Sequence, residues 1–144
     1  GIESTIVKVT DNCLEILRPG LINKRELSKI AKLHDYSVEY MKNKEISAPG
    51  MLEDHYQPSK PINVIISESI SDAKVHSKGL DTSWFTLSER PELAARELYS
   101  NMRQACESDK KCCSIWIDKK LLGDDAWIGI IDRLKKASSK YVVL

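Results

Sequence analysis

Glycine is scarce in this chain, with six in 144 residues. None of them builds a G-x-x-x-x-G-K-[ST] loop or a G-x-G-x-x-G turn, so the usual backbone cradle for phosphate is absent. There is no H-E-x-x-H zinc helix and no G-x-S-x-G elbow. A Ser, His, Asp triad is not excluded by that, because triads assemble from distant positions. Cysteine is sparse too: Cys13, Cys106, Cys112 and Cys113. Zinc sites use paired spacings such as C-x2-C, and disulfide frameworks use denser cysteine. Free thiols, buried or half-buried, are therefore expected. No sign of charge dominates, because 22 basic and 21 acidic side chains leave a net +1. Nucleic-acid binders cluster their basic residues, whereas Lys110-Lys111 and Lys135-Lys136 read as ordinary solvated pairs. No apolar run nears the roughly 20 residues of a membrane span. The start, GIESTIVKVT, lacks the basic flank and apolar stretch of a secretory leader. A cytoplasmic location and no membrane partner are the expectations.

What is present is a globular composition, 42% hydrophobic and 30% charged, enough to bury a core. STIVKVT (4–10) and CLEILR (13–18) are extended in character. Asp11-Asn12 between them is a tight-turn pair, which predicts a hairpin. Arg18-Pro19-Gly20 ends the second strand, since proline withholds a ladder donor. Asn23, with Glu26 three residues on, predicts a capped helix carrying Leu27, Ile30, Ala31 and His34 at helical spacing. DYSVEYM (35–41) predicts another short strand. A hairpin, one helix and a strand are a thin core for an independent unit. Residues 1–41 are expected to be the end of a larger α/β domain.

Residues 42–61 are polar and proline-bearing with no periodicity, long for a connection inside a compact domain. Within them SAPGMLEDHYQP (47–58) reads either as a plain tether or as a lid.

Residues 62–144 alternate strand and helix. INVIIS (62–67) predicts a strand buried on both faces, followed by a short helix in SISDAKVH. DTSWFTL (81–87) predicts a second strand. Ser88 opens a helix with Pro91 in its first turn and Ala94, Leu98, Met102 and Ala105 as its apolar stripe. CSIWID (113–118) predicts a third strand, which puts Cys112 and Cys113 on opposite faces. Asp124 or Asp125 starts a last helix with Trp127, Ile130, Ile131 and Leu134 on one side, and YVVL (141–144) ends the chain as a strand. The fold class is α/β: a small Rossmann-like C-terminal domain with a parallel or mixed sheet. Trp84, Trp116 and Trp127 are expected to be packing anchors rather than base-stacking platforms. His34 and His76 are expected to be structural or solvated.

Three stretches in order, GIESTIV (1–7), ILRPG (16–20) and APGMLEDHYQP (48–58), resemble the Sua5 branch of the Sua5/YrdC/YciO family, the L-threonylcarbamoyladenylate synthases. AARELYSNMR (94–103) and GIIDRLKKA (129–137) resemble helices of that branch's C-terminal domain. The resemblance implies three parts: the end of a YrdC-like catalytic domain (1–41), an interdomain linker or lid (42–61), and a C-terminal α/β domain (62–144). It implies an ATP-dependent reaction in which L-threonine, bicarbonate and ATP give threonylcarbamoyl-AMP and pyrophosphate. Mg²⁺ is expected to accompany ATP, and other proteins transfer the group to adenosine 37 of tRNA. Ser4 matches the serine that binds threonine, with Thr5 beside it, and Arg18 matches an arginine that contacts ATP. His55 and Tyr56 match the linker's H-Y, with Tyr56 closing over the nucleotide. This favours the lid over the tether. Leu52-Glu53-Asp54 departs from the basic and aromatic residues of many relatives. The family's early lysine- and arginine-bearing motif is not in the chain, so residues 1–144 alone are expected to be inactive. The alternative reading is a non-catalytic interaction module, or one that binds tRNA or double-stranded RNA.

Overall fold

A computed structural model describes residues 4–41 and 58–144. They form two sheets. The first contains β1 (Ile6–Val9), β2 (Cys13–Arg18) and β3 (Ser37–Tyr40) in the order β1-β2-β3. β1 and β2 make the predicted antiparallel hairpin, and β3 runs parallel to β2. At the turn, Thr10 N–H and Oγ1 both donate to the Cys13 carbonyl, at 2.9 and 3.0 Å. The parallel return to β3 needs a crossover, supplied by α1 (Lys24–Ala31). The capping box holds: Glu26 N–H donates to Asn23 Oδ1 at 2.9 Å, and Asn23 N–H donates to Glu26 Oε2 at 3.0 Å. The helical stripe is narrower than its spacing suggests. Ala31 is buried and Leu27 half-buried, but Ile30 is 64% exposed. An eight-residue helix over a three-stranded sheet covers only one line of side chains. A single 3-10 turn (Lys32–His34) follows, with His34 exposed, before Asp35 takes the left-handed φ of 59°.

The second sheet holds β4 (Ile62–Ser67), β5 (Thr82–Phe85), β6 (Cys112–Asp118) and β7 (Lys140–Val143) in the order β5-β6-β4-β7. Every pairing is parallel. The connections carry α2 (Ile70–His76), α3 (Pro91–Cys106) and α4 (Ile128–Ala137). This is the expected α/β class, a small Rossmann-like arrangement. One face carries Ile62, Val64, Ile66, Cys113, Ile115 and Ile117, packed with Leu98 and Met102 of α3 and Ile130 and Leu134 of α4. Ile65 and Ser67 alternate to the other face, where α2 lies.

Two helix starts differ from the sequence reading. α3 begins at Pro91, with Arg90 as its N-cap, while Ser88 Oγ only accepts Arg90 N–H at 3.2 Å. Proline at the first helical position sets the boundary, since its missing N–H costs nothing there. α4 begins after Trp127. Asp124 instead closes the preceding turn, its Oδ1 accepting Ala126 N–H at 2.9 Å and its carbonyl accepting Trp127 N–H at 2.9 Å. The 3-10 segment Lys119–Gly123 before it had no periodicity to announce it.

The thiols are free, as expected. Cys106 and Cys113 lie buried with their sulfurs 3.4 Å apart, while Cys112 faces the opposite side of β6. Trp127 is buried, and Trp116 Nε1 donates to Ser67 Oγ at 3.0 Å. Among the described residues no helix is long and apolar enough to cross a membrane.

Candidate functional site

The hairpin brings three of the anticipated residues together. Antiparallel pairing sets the start of β1 beside the end of β2, with Ile6 opposite Arg18. Ser4 and Thr5, just ahead of β1, therefore share a corner with Arg18. Arg18 Nη2 donates to the Ser4 carbonyl at 3.4 Å. Thr5 Oγ1 donates to the Ile22 carbonyl at 2.7 Å. A hydroxyl has one proton to give and two lone pairs, so with its proton on Ile22, Thr5 offers a ligand an acceptor. Ser4 is exposed, whereas Thr5 and Arg18 are half-buried.

Pro19 and Gly20 fold the chain back underneath. A Cβ on Gly20 would stand 2.5 Å from Thr5 N and 2.6 Å from Ser4 O, and would also strike Ser4 C. These are backbone atoms with no way to step aside, so the corner closes only with glycine at 20. The corner is thus an exposed hydroxyl and a permanently charged guanidinium on tightly layered backbone. Such a pair can donate to a carboxylate or to phosphate oxygens. His55 and Tyr56, the anticipated lid residues, lie outside the described residues.

The corner also meets the second sheet. A Cβ on Gly129 of α4 would stand 2.9 Å from the Pro19 carbonyl oxygen and 3.2 Å from Gly20 Cα. Leu21 packs on the apolar cluster of the second sheet. Tyr40, at the same strand edge as Arg18, has its phenol pushed above the ordinary value, chiefly by burial and further by the Asp125 carboxylate just ahead of α4. The sequence reading did not single out Gly129. The signal that could have found it is an isolated glycine inside a helical pattern, which usually has a packing reason.

The second sheet has its own natural crevice. β4 leads to α2 on one face and β6 leads to α4 on the other. Parallel sheets bind ligands at the carboxyl ends of strands where the chain diverges in this way. Here the polar groups at that position pair with one another. Ser67 Oγ donates to the Ser69 carbonyl at 2.7 Å while accepting from Trp116. Asp118 Oδ1 accepts Lys120 N–H at 3.0 Å, and Asp118 Oδ2 meets Lys120 Nζ at 2.7 Å. These contacts hold the Asp118 carboxyl below its ordinary range. The connection Ser67-Glu68-Ser69 has no glycine to admit a phosphate. No group of three or more His, Cys, Asp or Glu side chains among the described residues could hold a metal ion.

Comparison with known proteins gives one family match and one curated relative. The family described as threonylcarbamoyl-AMP synthase, C-terminal domain, matches residues 22–139. A threonylcarbamoyl-AMP synthase of Pyrococcus abyssi is 25% identical over 164 aligned positions, which take in 99% of this chain and 47% of that protein. The chain thus spans about half the length of that relative. No solved structure gives a significant match. With the family's pattern running from α1 and β3 of the first sheet through β4, β5 and β6 of the second, the chain belongs to the threonylcarbamoyl-AMP synthase C-terminal domain family.

Proposed function

We propose that this chain is the C-terminal part of an ATP-dependent threonylcarbamoyl-AMP synthase of the cytoplasm, serving adenosine 37 modification in tRNA. The family match over residues 22–139 carries this reading. Residues 1–41 close a catalytic domain, 42–61 link it, and 62–144 form the C-terminal domain. The exposure of Val9, Ile22, Ile30 and Leu33, between 54% and 79%, supports it. That much apolar surface on β1, α1 and the segments flanking that helix suits a further packed layer.

In the reaction, the amine of L-threonine adds to bicarbonate with loss of water, giving a carbamate. A carbamate oxygen then attacks the α-phosphorus of ATP and pyrophosphate leaves. Ser4 would hold the threonine by its hydroxyl, and Arg18 would bind phosphate oxygens of ATP through its guanidinium. Thr5 would accept from the substrate ammonium. Mg²⁺ would arrive on the triphosphate, as the described residues form no cluster to seat it. Tyr56 and His55 would close over the product. A mixed anhydride hydrolyses readily, so excluding water protects it.

The test is ATP consumption by the full-length protein, with L-threonine and bicarbonate supplied. Pyrophosphate release that needs both co-substrates, and a raised KM for ATP in Arg18→Ala, are expected. No release under those conditions would end the reading. Residues 62–144 taken separately favour a second reading, a non-catalytic module, because they lack a glycine-rich phosphate loop and Ser67 at their strand ends is already paired with Trp116 and Ser69. Deleting that part without loss of activity would assign it to another partner. A tRNA titration that weakens with salt would identify RNA as that partner.

A further inference from the structure

We propose that Gly129, in the second sheet's α4, is a positioning residue for the substrate corner of the first. The inference rests on the reading of Ser4 and Arg18 as a substrate wall. Three stretches of backbone are stacked here without side chains between them: the Ser4–Thr5 peptide, the Pro19-Gly20 turn, and α4 at Gly129. Gly20 touches the first layer and Gly129 touches the second, each so closely that a Cβ would collide with backbone. Arg18 leads straight into this stack, and its guanidinium donates to the Ser4 carbonyl in the top layer. A shift of the middle layer therefore moves both the hydroxyl-bearing residue and the arginine. α4 itself is anchored by Trp127, Ile130 and Leu134 in the larger core, so it is the fixed member and the corner is the one it sets.

Glycine at 129 is not explained by the helix. Alanine is the better helix former, so a glycine with nothing against it would lose nothing on exchange. At 129 the added methyl meets a carbonyl oxygen and a Cα at 2.9 and 3.2 Å, and either the turn or the helix must yield. Gly123, six positions earlier, has nothing within 4 Å of its place for a Cβ and serves as the control.

The experiment compares Gly129→Ala, Gly123→Ala and Arg18→Ala in the full-length protein. Initial rates are measured while ATP and L-threonine are varied. Backbone hydrogen exchange is followed in parallel. For Gly129→Ala, KM for ATP and for threonine should rise about tenfold, because the groups that bind the two substrates move with the middle layer, and tenfold corresponds to about 1.4 kcal/mol of lost binding. The change in kcat should stay within about twofold, the pattern of lost binding rather than lost transition-state contact. Exchange should quicken at residues 4, 5, 18 and 20 and stay slow in β4 and β6. Gly123→Ala should change nothing. Unaltered KM values in Gly129→Ala, with Arg18→Ala impaired, would overturn the positioning role and leave the wall intact. Unaltered KM values in Arg18→Ala would remove the wall, and the positioning role with it. Loss of protection throughout β4 and β6 in Gly129→Ala would also overturn it, because the glycine would then serve only its own fold.

Discussion

Among the described residues, the first sheet has three buried apolar residues, Ile16, Ala31 and Val38, with half-buried Val7, Leu14, Leu27 and Tyr36 packed on them. The second is held by a continuous cluster from Ile62 to Ala137, contributed by β4, β5, β6, α3 and α4. Yet the residues with the clearest chemistry, Ser4 and Arg18, sit on the thinly cored sheet. The richly cored one has paired Ser67 and Asp118, the polar groups at its strand ends, with its own residues. Burial and exposed polar groups are divided between them: the larger core lies in one region, and the other meets it through close backbone contact. That contact explains why glycine is needed at two facing positions in a chain that has so few.

The comparison breaks most visibly in the larger core. Leu98 is fully buried between α3 and the sheet, so Leu98→Ala should cost about 2–5 kcal/mol. Thermal unfolding should show it, with both sheets melting early. If only the second sheet melted, the first would not depend on it.

Gly20→Ala should cost about 1–3 kcal/mol, the range for forcing atoms into filled space. Its effect should be confined to the first sheet. Exchange protection lost in β1 and β2 but kept in β6 is the expected record, and equal loss in both would contradict the division.

Asn23→Ala removes the side-chain half of the capping box on α1 and should cost about 1 kcal/mol. Far-UV circular dichroism would show little change, so the loss must be read from the unfolding midpoint. No loss would mean that α1 is held by packing alone.

Two effects are chemical rather than energetic. Burial and the neighbouring Cys106 thiol push Cys113 up to about 12, so almost no thiolate forms at neutral pH. Iodoacetamide should therefore spare it until the protein unfolds, while the half-exposed Cys13 reacts in the folded state. Early labelling of Cys113 would show that the second core opens.

The smallest effect probes the seam. Tyr40 titrates above its ordinary 10.0 because of burial first and Asp125 second. Asp125→Asn should lower its midpoint in an ultraviolet titration, toward the ordinary value without reaching it. Folding favours the protonated phenol, so this contribution is complete below the ordinary value. It fades as pH rises through the folded one. An unchanged midpoint would place Asp125 out of reach of the first sheet.

Much of the fold was legible. The alternation of strand and helix after Ile62, the hairpin at Asp11-Asn12 and the Asn23–Glu26 box all follow from local chemistry, and each is where it was expected. The misses share a cause. Ile30 has helical spacing but lies outside the contact line, because spacing fixes a face and not how much of it is covered. Asp124 has the right chemistry for a helix cap, yet it spends its oxygens on the turn before α4. Both outcomes depend on neighbours that no local window contains. For the site, the stretches GIESTIV and ILRPG marked Ser4 and Arg18 by resemblance, but nothing in the sequence placed Gly129 against them.

The sequence by itself determined which segments become strands and helices, where most of them stop, and which side chains bring charge or a hydroxyl. Those properties depend on residues a few positions apart. The tertiary structure decided that a turn after β2 and a helix more than a hundred residues later share one layer of backbone. Such closeness is set by how two sheets pack, and packing is a property of the whole chain.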